Sequence, residues 1–309
     1  MDGKYKGLKG YSSLYFEKIA ILGVGLMGAS FAKAVRKLGI TAKICGYGRN
    51  ETTLAWAKEN TIIDCYDTTL SGLAKGADLI ILATPVGTFE KLAVEISPFL
   101  KQGAIVTDVG SVKGSLVYTL EGLMPKGVHF VGAHPIAGKD QSGMKASSDI
   151  LYKGALCIVT PTDNTDLTAL ETVKALWSAI GCSVKTLTPE KHDEIFSSIS
   201  HLPHIAAYAM INVIAEISDT FFEYAGKGFK DTTRIAGSSP DIWSDICLLN
   251  KENITSHIGI YIEKLNAILT HIKNSSKDGL IKEFDNARAL RKKMNDCLHS
   301  NIEDCIDNV

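Results

Sequence analysis

The sequence predicts an α/β protein in which a doubly wound, Rossmann-type parallel sheet is followed by an all-α C-terminal domain. A short apolar run near the N-terminus turns through closely spaced glycines into a helix. Apolar strands then alternate with helical stretches as far as Leu187, as they do when crossover helices connect parallel strands. No convincing strand follows from Thr188 onward, which predicts that the rest of the chain is helical.

The glycine-rich turn indicates a dinucleotide site. The apolar residues 19–22 form a predicted buried strand, and Gly23, Gly25 and Gly28 follow in the spacing GxGxxG. In a strand–turn–helix unit, the first glycine makes the tight turn, the second lets the backbone approach a pyrophosphate, and the third lets helix and strand pack closely. The free amides of the helix N-terminus then hold the phosphates. The helix is expected to end at Gly39, where a left-handed residue is favoured.

The remaining elements complete the alternation. Predicted strands cover residues 43–47, 78–84, 104–108, 129–134, 156–160 and 183–187. Predicted helices cover residues 53–59, 89–96, 113–123 and 166–180. Thr188-Pro189-Glu190 is typical of a helix start, with an N-cap, a proline at the first helical position and an acid in the first turn. We therefore expect a leader over residues 1–17, a dinucleotide-binding domain over 18–188, and a helical domain over 189–309 with a break near 226–237.

Charge and cysteine spacing argue against several classes of function. The formal net charge of −1 gives no electrostatic reason to bind nucleic acid or an anionic membrane. The seven cysteines are scattered without a C-x-x-C pair, which predicts a reducing compartment and no structural zinc. Residues 1–17 lack the apolar core of a signal peptide, and the apolar stretch 199–217 contains histidines that a lipid-spanning helix would not carry cheaply. A soluble, cytoplasmic protein is expected.

The end of the second strand bears on the choice between NAD and NADP. NAD enzymes usually place Asp or Glu there to hold the ribose hydroxyls. This chain has Gly46-Tyr47-Gly48-Arg49-Asn50, with an arginine and no acid. Arg49 is suited to pair with a 2′-phosphate or to stack on adenine, which predicts that NADP is accepted and even preferred. The alternative is that Arg49 is a solvated surface residue.

Three further clusters contain residues suited to chemistry. DVGSVK (108–113) and GAHPIAG (132–138) follow strands, and open α/β sheets bind ligands at the carboxyl ends of their strands. His134 in the second cluster can exchange a proton at neutral pH, although a hydrogen-bonded structural histidine is the alternative. The third cluster is SHLPH (200–204), where Pro203 removes a helical donor and predicts a kink. Its two histidines lack a further ligand set, so no metal is expected.

Taken together, these motifs resemble those of the prephenate/arogenate dehydrogenase family of tyrosine biosynthesis. The resemblance rests on GVGLMG, DVGSVK, GAHPIAG, HD, SHLPH and GFKDTTRIAGSSPDIW in this order, from about Lys18 to beyond Trp243. It implies a Rossmann-type domain joined to an all-helical dimerisation domain, and hence a homodimer. It also implies NAD(P)-dependent oxidative decarboxylation of a cyclohexadienol ring.

The resemblance assigns roles to individual residues. His134 matches the catalytic histidine that takes the ring hydroxyl proton, and Ser111 matches the serine that hydrogen-bonds this histidine. His204 and Arg234 match the substrate-binding pair, and Trp243 matches a tryptophan near the same site. An arginine there would hold a carboxylate through two hydrogen bonds, a geometry that lysine does not offer.

Asp140 departs from the pattern of the family. It follows Gly138-Lys139, where many relatives have Gly-Thr-Glu, so a carboxylate survives with a shorter side chain. Asp140 is therefore a candidate on the substrate side. The candidate residues for cofactor binding are Gly23, Gly25, Leu26, Met27, Gly28, Arg49, Thr84 and Pro85.

The expected function is that of a prephenate dehydrogenase, which forms 4-hydroxyphenylpyruvate. An arogenate dehydrogenase, or a cyclohexadienyl dehydrogenase that accepts both substrates, is the first alternative. A β-hydroxyacid dehydrogenase would share the glycine turn but would require a catalytic lysine on a helix. A non-catalytic dinucleotide sensor would need neither His134 nor Arg234. Tyrosine resembles the aromatised product, so it is expected to inhibit competitively.

Overall fold

One eight-stranded sheet organises the N-terminal part of the chain in the computed structural model, which describes residues 14–138, 141 and 143–299. The strands are β1 (Phe16–Leu22), β2 (Thr41–Tyr47), β3 (Cys65–Tyr66), β4 (Leu79–Leu82), β5 (Ile105–Asp108), β6 (His129–Ile136), β7 (Leu156–Thr160) and β8 (Ser183–Thr186). Their order is β3-β2-β1-β4-β5-β6-β7-β8. The order reverses direction between β1 and β4, and this switch point is where open α/β sheets bind ligands.

The sheet is parallel from β3 through β6, which confirms the predicted fold class. Strand β7 pairs antiparallel with β6, in the register Gly132↔Thr160 to Ile136↔Leu156, and β8 pairs parallel with β7. The fully parallel sheet expected from the sequence is therefore wrong at this one pair. A parallel partner would need a crossover helix, whereas the described part of the connection between β6 and β7 contains only the 3₁₀ turn Met144–Ala146.

Helices cover both the connections between strands and the C-terminal part. Between the strands lie α1 (Leu26–Leu38), α2 (Glu51–Glu59), α3 (Leu70–Ala74), α4 (Phe89–Ile96), α5 (Gly114–Gly122) and α6 (Leu167–Ala179). After β8 follow α7 (Pro189–Phe196), α8 (Leu202–Ile217), α9 (Lys227–Thr233), α10 (Pro240–Leu249), α11 (Lys251–Lys273) and α12 (Lys277–His299). No strand follows Thr188 in the described residues, as predicted.

The predicted helix signals at both ends of the Rossmann-type part are confirmed. Gly39 ends α1 in the left-handed conformation, with φ +67°, and its N–H donates to the carbonyl of Arg36. Thr188 caps α7, since its hydroxyl accepts from the N–H of Lys191 at 3.2 Å, and Pro189 occupies the first helical turn. These signals are local, so they can be recognised without knowledge of the tertiary structure.

Several elements differ from the predictions, among them the short helix α3, which was not predicted. Strand β1 begins at Phe16, two residues before the predicted start of the domain, and the leader residues 1–13 lie outside the described residues. The two-residue strand β3 was not predicted, because so short a strand has no period to recognise. The break expected near 226–237 is instead helical, with α9 followed by a 3₁₀ turn at Arg234–Gly237.

A disulfide joins Cys45 of β2 to Cys65 of β3. The two residues are 20 positions apart in sequence but face each other in the register of the paired strands. The scattered cysteines predicted a reducing compartment, in which disulfides are rare, and their spacing in the chain does not reveal that β2 and β3 are neighbours.

The described chain forms two compact units, one up to Ile254 and one from Thr255 onward. The helices before Ile254 belong with the sheet because α7 packs against α5 and α10 packs against the turn that follows β4. The domain boundary expected at Thr188 stays a prediction. Among the described residues, no helix is both long and apolar enough to cross a membrane.

Candidate active site and cofactor cleft

The glycines of the turn after β1 are required by close backbone contacts. Gly23 has φ +102°, and a Cβ built there would lie 2.5 Å from the carbonyl oxygen of Ala83. A Cβ on Gly28 would lie 2.1 Å from the carbonyl oxygen of Gly23. Any side chain at either position would force β1, β4 or α1 apart. The packing roles predicted for Gly23 and Gly28 agree with this geometry.

Gly25 differs, because no atom outside its own neighbourhood lies within 4 Å of a Cβ built on it. It faces a cavity of about 500 Å³ at the switch point of the sheet, next to the first amides of α1. Among the residues that the structure describes, no side chain caps this helix end. An open cradle at a helix N-terminus fits a pyrophosphate, which the free amides would bind. The residues present therefore fit a dinucleotide cofactor.

Most of the predicted cofactor residues line this cavity. Its walls include Gly23, Gly25, Arg49, Thr84 and Pro85. Leu26 and Met27 are not among the lining residues, although they form the first turn of α1 behind Gly25. The carbonyl of Met27 accepts a hydrogen bond from the Tyr152 hydroxyl at 2.8 Å, which fixes that turn from the interior.

Arg49 lies exposed at the rim of the cavity. Its neighbour Asn50 caps α2, where its side-chain oxygen accepts from the N–H of Thr53 at 3.0 Å. On the opposite wall, the hydroxyls of Thr84 and Thr88 are 2.7 Å apart. The cap orients the start of α2, so Arg49 is presented at the edge of the cleft where β2 ends.

His134 lies near the end of β6 and is partly exposed. Its Nδ1 is 2.8 Å from Nε2 of His192, and Nδ1 of His192 is 2.7 Å from Oδ1 of Asp193. The ring of Phe196 packs 4.9 Å from the His134 ring. Neither His192 nor Asp193 was predicted to belong to the site, although both form the HD motif that contributed to the resemblance.

A buried ion pair holds β6 in place beside the site. The ammonium of Lys113 pairs with Oδ2 of Asp108, and each side chain is about 1% exposed. Oδ1 of Asp108 accepts from the N–H of Ala133 at 2.9 Å, and Oδ2 accepts from the N–H of Gly110 at 2.8 Å. Asp108 therefore joins the end of β5 to the residue that precedes His134.

Burial keeps the histidines of the site neutral. It lowers the pKa of His134 well below the usual range, and the nearby His192 and Lys113 lower it further. Burial lowers the pKa of His192 to about 2 and that of His201 to about 4. The same burial raises the pKa of the Asp193 carboxyl to about 6.

A π-helical turn at Ser197–His201 precedes α8, where the sequence predicts a kink at Pro203. Such turns are frequent at functional sites because they rotate the side chains that follow. Nδ1 of His204 donates to the carbonyl of Ser200 at 2.9 Å. The turn thereby directs two histidine rings toward one tryptophan.

Trp243 of α10 connects these histidines. The ring of His204 stacks on Trp243 with 3.8 Å between centroids, and the ring of His201 meets it edge-on at 5.9 Å. The charge of Arg234 lowers the pKa of His204, after the larger effect of burial. The turn Arg234–Gly237 packs against α8, the helix that carries His204. The contact between His204 and Trp243 is observed, and a shared substrate-binding role for His204, Arg234 and Trp243 stays a prediction.

Ser111 and Asp140 are the remaining predicted residues of the catalytic and substrate site. The hydroxyl of Ser111 makes no hydrogen bond to His134 among the described residues, and Nδ1 of His134 is bonded to His192 instead. The backbone of Ser111 acts to raise the pKa of His201, against the larger lowering by burial. Asp140 lies outside the described residues.

Comparisons with known families agree with this geometry. Residues 31–186 match the family model described as prephenate dehydrogenase, nucleotide-binding domain. Residues 188–286 match the one described as prephenate dehydrogenase, dimerization domain. The chain belongs to the prephenate dehydrogenase family. The resemblance found in the sequence motifs is confirmed, and the match to the dimerization domain agrees with the helical nature of the C-terminal part.

Individual relatives show how far the similarity extends. Prephenate dehydrogenase of Bacillus subtilis (strain 168) is 34% identical over 283 residues, which is 89% of this chain and 75% of the relative. The crystal structure of prephenate dehydrogenase from A. aeolicus with hydroxyphenyl propionate and NAD⁺ has 40% identity and a TM-score of 0.85, over 91% of this chain and 99% of that one. The structure of Synechocystis arogenate dehydrogenase has 29% identity and a TM-score of 0.75, over 90% and 99% of the two chains.

Proposed function

We propose that this protein is a prephenate dehydrogenase, which oxidises prephenate with loss of carbon dioxide to form 4-hydroxyphenylpyruvate. The observation that carries the proposal is the neutral, partly exposed His134 at the carboxyl end of a central strand. Its Nδ1 is already hydrogen-bonded to His192 at 2.8 Å, so Nε2 is left to face a substrate. Family membership supports this reading of the site.

The chemistry divides between the protein and the cofactor. The bound nicotinamide supplies the hydride acceptor, while Gly25 and the first amides of α1 hold its pyrophosphate. His134 accepts the proton of the ring hydroxyl at Nε2 as the hydride leaves C4. Loss of carbon dioxide then aromatises the ring, which makes the reaction effectively irreversible. The protein contributes positioning and proton transfer.

The helical side of the site is suited to hold the rest of the substrate. Prephenate carries a ring carboxylate and a pyruvyl carboxylate, and Arg234 offers the bidentate geometry that a carboxylate requires. His204 is oriented by its bond to Ser200, and Trp243 supports its ring from the other side. We assign His204 and Arg234 to substrate binding, with Trp243 as the packing surface, and we keep Ser111 as a catalytic candidate on the strength of the family motif alone.

Arogenate is the alternative substrate, because it differs from prephenate only in an amino group in place of the side-chain keto group. Family members with solved structures include the arogenate dehydrogenase of Synechocystis. For the cofactor, we propose that the cleft accepts NADP as well as NAD. Arg49 lies at the rim of the cleft, and the end of β2 carries no acidic residue that would repel a 2′-phosphate. We also propose a homodimer, on the strength of the match to the dimerization domain. The cytoplasmic location stays a prediction from the sequence.

The direct test measures the formation of reduced cofactor with prephenate and with arogenate, each with NAD and with NADP. Turnover of prephenate above arogenate is the expected result. In His134→Asn, which keeps the size of the side chain but removes the proton acceptor, turnover should fall by about 10²–10⁴-fold while cofactor affinity is unchanged.

The matched control is His129→Asn, at the opposite end of the same strand β6. It should retain wild-type turnover, because His129 lies away from the site. If the protein turned over arogenate and not prephenate, then arogenate would be identified as the substrate. Wild-type turnover in His134→Asn, or no turnover of either substrate by the unmodified protein, would refute the proposed function.

A further inference from the structure

A row of three side chains leads from the exposed edge of His134 into the protein interior. Two short contacts, of 2.8 Å and 2.7 Å, connect His134 to His192 and His192 to Asp193. Resting on the function proposed above, we propose that this row stores the proton of the substrate hydroxyl during ring oxidation and returns it to the product oxygen. We call the three residues His134, His192 and Asp193 the relay. His192 and Asp193 act through His134 as positioning residues.

The hydrogen-bond partners determine where the protons of the relay lie. The backbone N–H of Lys113 donates to Oδ1 of Asp193 at 2.8 Å, so this oxygen is an acceptor. The ionised carboxylate also accepts from Nδ1–H of His192. A neutral imidazole has one N–H, so Nε2 of His192 must accept from Nδ1–H of His134. This leaves Nε2 of His134 unprotonated and ready to accept the hydroxyl proton.

The interior disfavours a positive charge on either ring of the relay. His192 is 0% exposed, and the ammonium of Lys113 lowers the pKa of both His134 and His192. Asp193 is the one member whose burial favours the protonated form, since it raises the pKa of the carboxyl to about 6. A proton accepted at His134 is therefore held most favourably at Asp193, where it neutralises a buried charge.

The proton count of the reaction is balanced by such a store. As the hydride leaves C4, the O–H bond of the substrate breaks and its proton moves to Nε2 of His134. Nδ1–H of His134 moves to Nε2 of His192, and Nδ1–H of His192 moves to Oδ1 of Asp193. The bond to the ring carboxylate then breaks, carbon dioxide leaves, and the electron pair enters the ring to form a phenolate. The three transfers reverse, the phenolate takes back its proton, and no proton is consumed or released overall.

The reversal also restores the starting state of both imidazoles. Neither ring needs to rotate, because each nitrogen recovers the proton that it gave away. This agrees with the packing, since the rings of His134 and His192 lie 5.0 Å apart and the ring of Phe196 stacks on that of His192 at 4.5 Å. Rings held in fixed positions by this packing are suited to proton transfers that reverse within each turnover.

The relay predicts a specific dependence of rate on pH. Asp193 must be ionised to accept the proton, so the single-turnover rate should fall as the pH drops below about 6. The charged and titratable groups that face Asp193 are Lys113, His192, His201 and Glu190. The histidines among them are neutral throughout this range, because burial lowers their pKa values to about 2 and about 4.

The test uses Asp193→Asn in the full-length protein, after turnover of the substrate by the unmodified protein has been established. The amide oxygen can still accept from Lys113 and His192, so the orientation of His134 is kept, but the amide cannot store a proton. We expect the single-turnover rate to fall about 100-fold, the decline near pH 6 to disappear, and KM to change by less than about threefold. Glu194→Gln is the matched control, since it neutralises the adjacent exposed carboxylate and should leave rate and pH profile unchanged.

Histidine ¹⁵N NMR of the unmodified protein provides a second test that needs neither activity nor a variant. The relay requires that His134 is protonated on Nδ1 and not on Nε2. The proposal is overturned if Nε2 of His134 carries the proton, or if Asp193→Asn keeps the decline in rate near pH 6. A uniform loss of rate with that decline intact would mean that Asp193 only supports the fold. These outcomes differ from a failure of the proposed function, in which the unmodified protein would not turn over the substrate.

Discussion

At the scale of single residues, Arg234 offers the clearest test of how substrate is held. If its guanidinium pairs with a substrate carboxylate, then Arg234→Ala removes a charge-assisted, bidentate contact. The loss of roughly 2 kcal/mol corresponds to a rise in KM of about 30-fold, with a smaller change in kcat. Steady-state kinetics measure both. Lys230→Ala is the control, because this exposed lysine lies one turn earlier in the chain, on α9, and Arg234 directly follows that helix.

Tyrosine provides a second measurement on the same variant. It shares the 4-hydroxyphenyl ring and the side-chain carboxylate of the product, so we expect it to compete with substrate for the site that we propose around His134, His204 and Arg234. Its inhibition constant should rise in Arg234→Ala by a factor similar to that for KM. Noncompetitive inhibition that survives this substitution at equal potency would indicate a separate tyrosine site.

Arg49 tests the choice of cofactor. It is exposed at the rim of the cleft, where a 2′-phosphate would gain one charge-assisted contact. Arg49→Ala should lower kcat/KM for NADP by roughly tenfold, or about 1.4 kcal/mol, and leave that for NAD within about threefold. Arg49→Lys is the informative control, since it keeps the charge but loses the planar geometry. A strong NAD preference that neither substitution alters would identify Arg49 as a surface residue.

The sequence offered candidate site residues only where they stand in recognisable motifs. His134 lies near the end of an apolar strand, and His204, Arg234 and Trp243 belong to motifs of the family. The partners of His134 could not be predicted in the same way. His192 is 58 residues from His134, and their contact depends on how α7 packs beside β6. The HD motif of the family contains His192 and Asp193, but the contact between His192 and His134 can be seen only in the structure.

At the scale of elements, the start of α7 can be tested directly because its cap supports the helix that carries His192 and Asp193. Thr188→Ala removes the hydroxyl that accepts from the N–H of Lys191 at 3.2 Å. We expect a loss of about 1 kcal/mol in the free energy of unfolding, measured by urea denaturation. Thr188→Ser keeps the hydroxyl and should recover most of this loss. Equal stability of both variants would show that the cap contributes little.

Helices and strands were predicted correctly where the local sequence pattern is strong. The predictions failed where the structure depends on which strands pair with each other. The amphipathic helix α4 has a clear period and was predicted with its observed bounds, whereas the apolar run of β1 was recognised as a strand but begins three residues earlier than predicted. The antiparallel pairing of β7 with β6 leaves no trace in the sequence of either strand. The disulfide between Cys45 and Cys65 depends likewise on which strands become neighbours.

At the scale of the whole molecule, the C-terminal unit leaves a row of apolar side chains exposed. Along α11 these are Tyr261, Ile262, Leu265, Leu269 and Ile272, which are between 37% and 58% exposed. Their spacing of three and four residues places them on one face of the helix. A monomer in water would rarely leave so continuous an apolar face uncovered. The match of this region to a dimerization domain identifies a second copy of the chain as the partner that we expect to cover it.

This arrangement predicts that the apolar face of α11 controls assembly. Light scattering after size-exclusion chromatography should give the mass of a dimer for the unmodified protein. Leu265→Glu combined with Leu269→Glu buries two unpaired charges in the proposed interface, so the dimer should dissociate to monomers at micromolar concentration. Thr270→Glu adds a charge on the opposite, exposed face of the same helix and should leave the dimer intact. A dimer that persists in the double variant would place the interface on another surface, because two buried carboxylates without partners are too costly for an interface to tolerate.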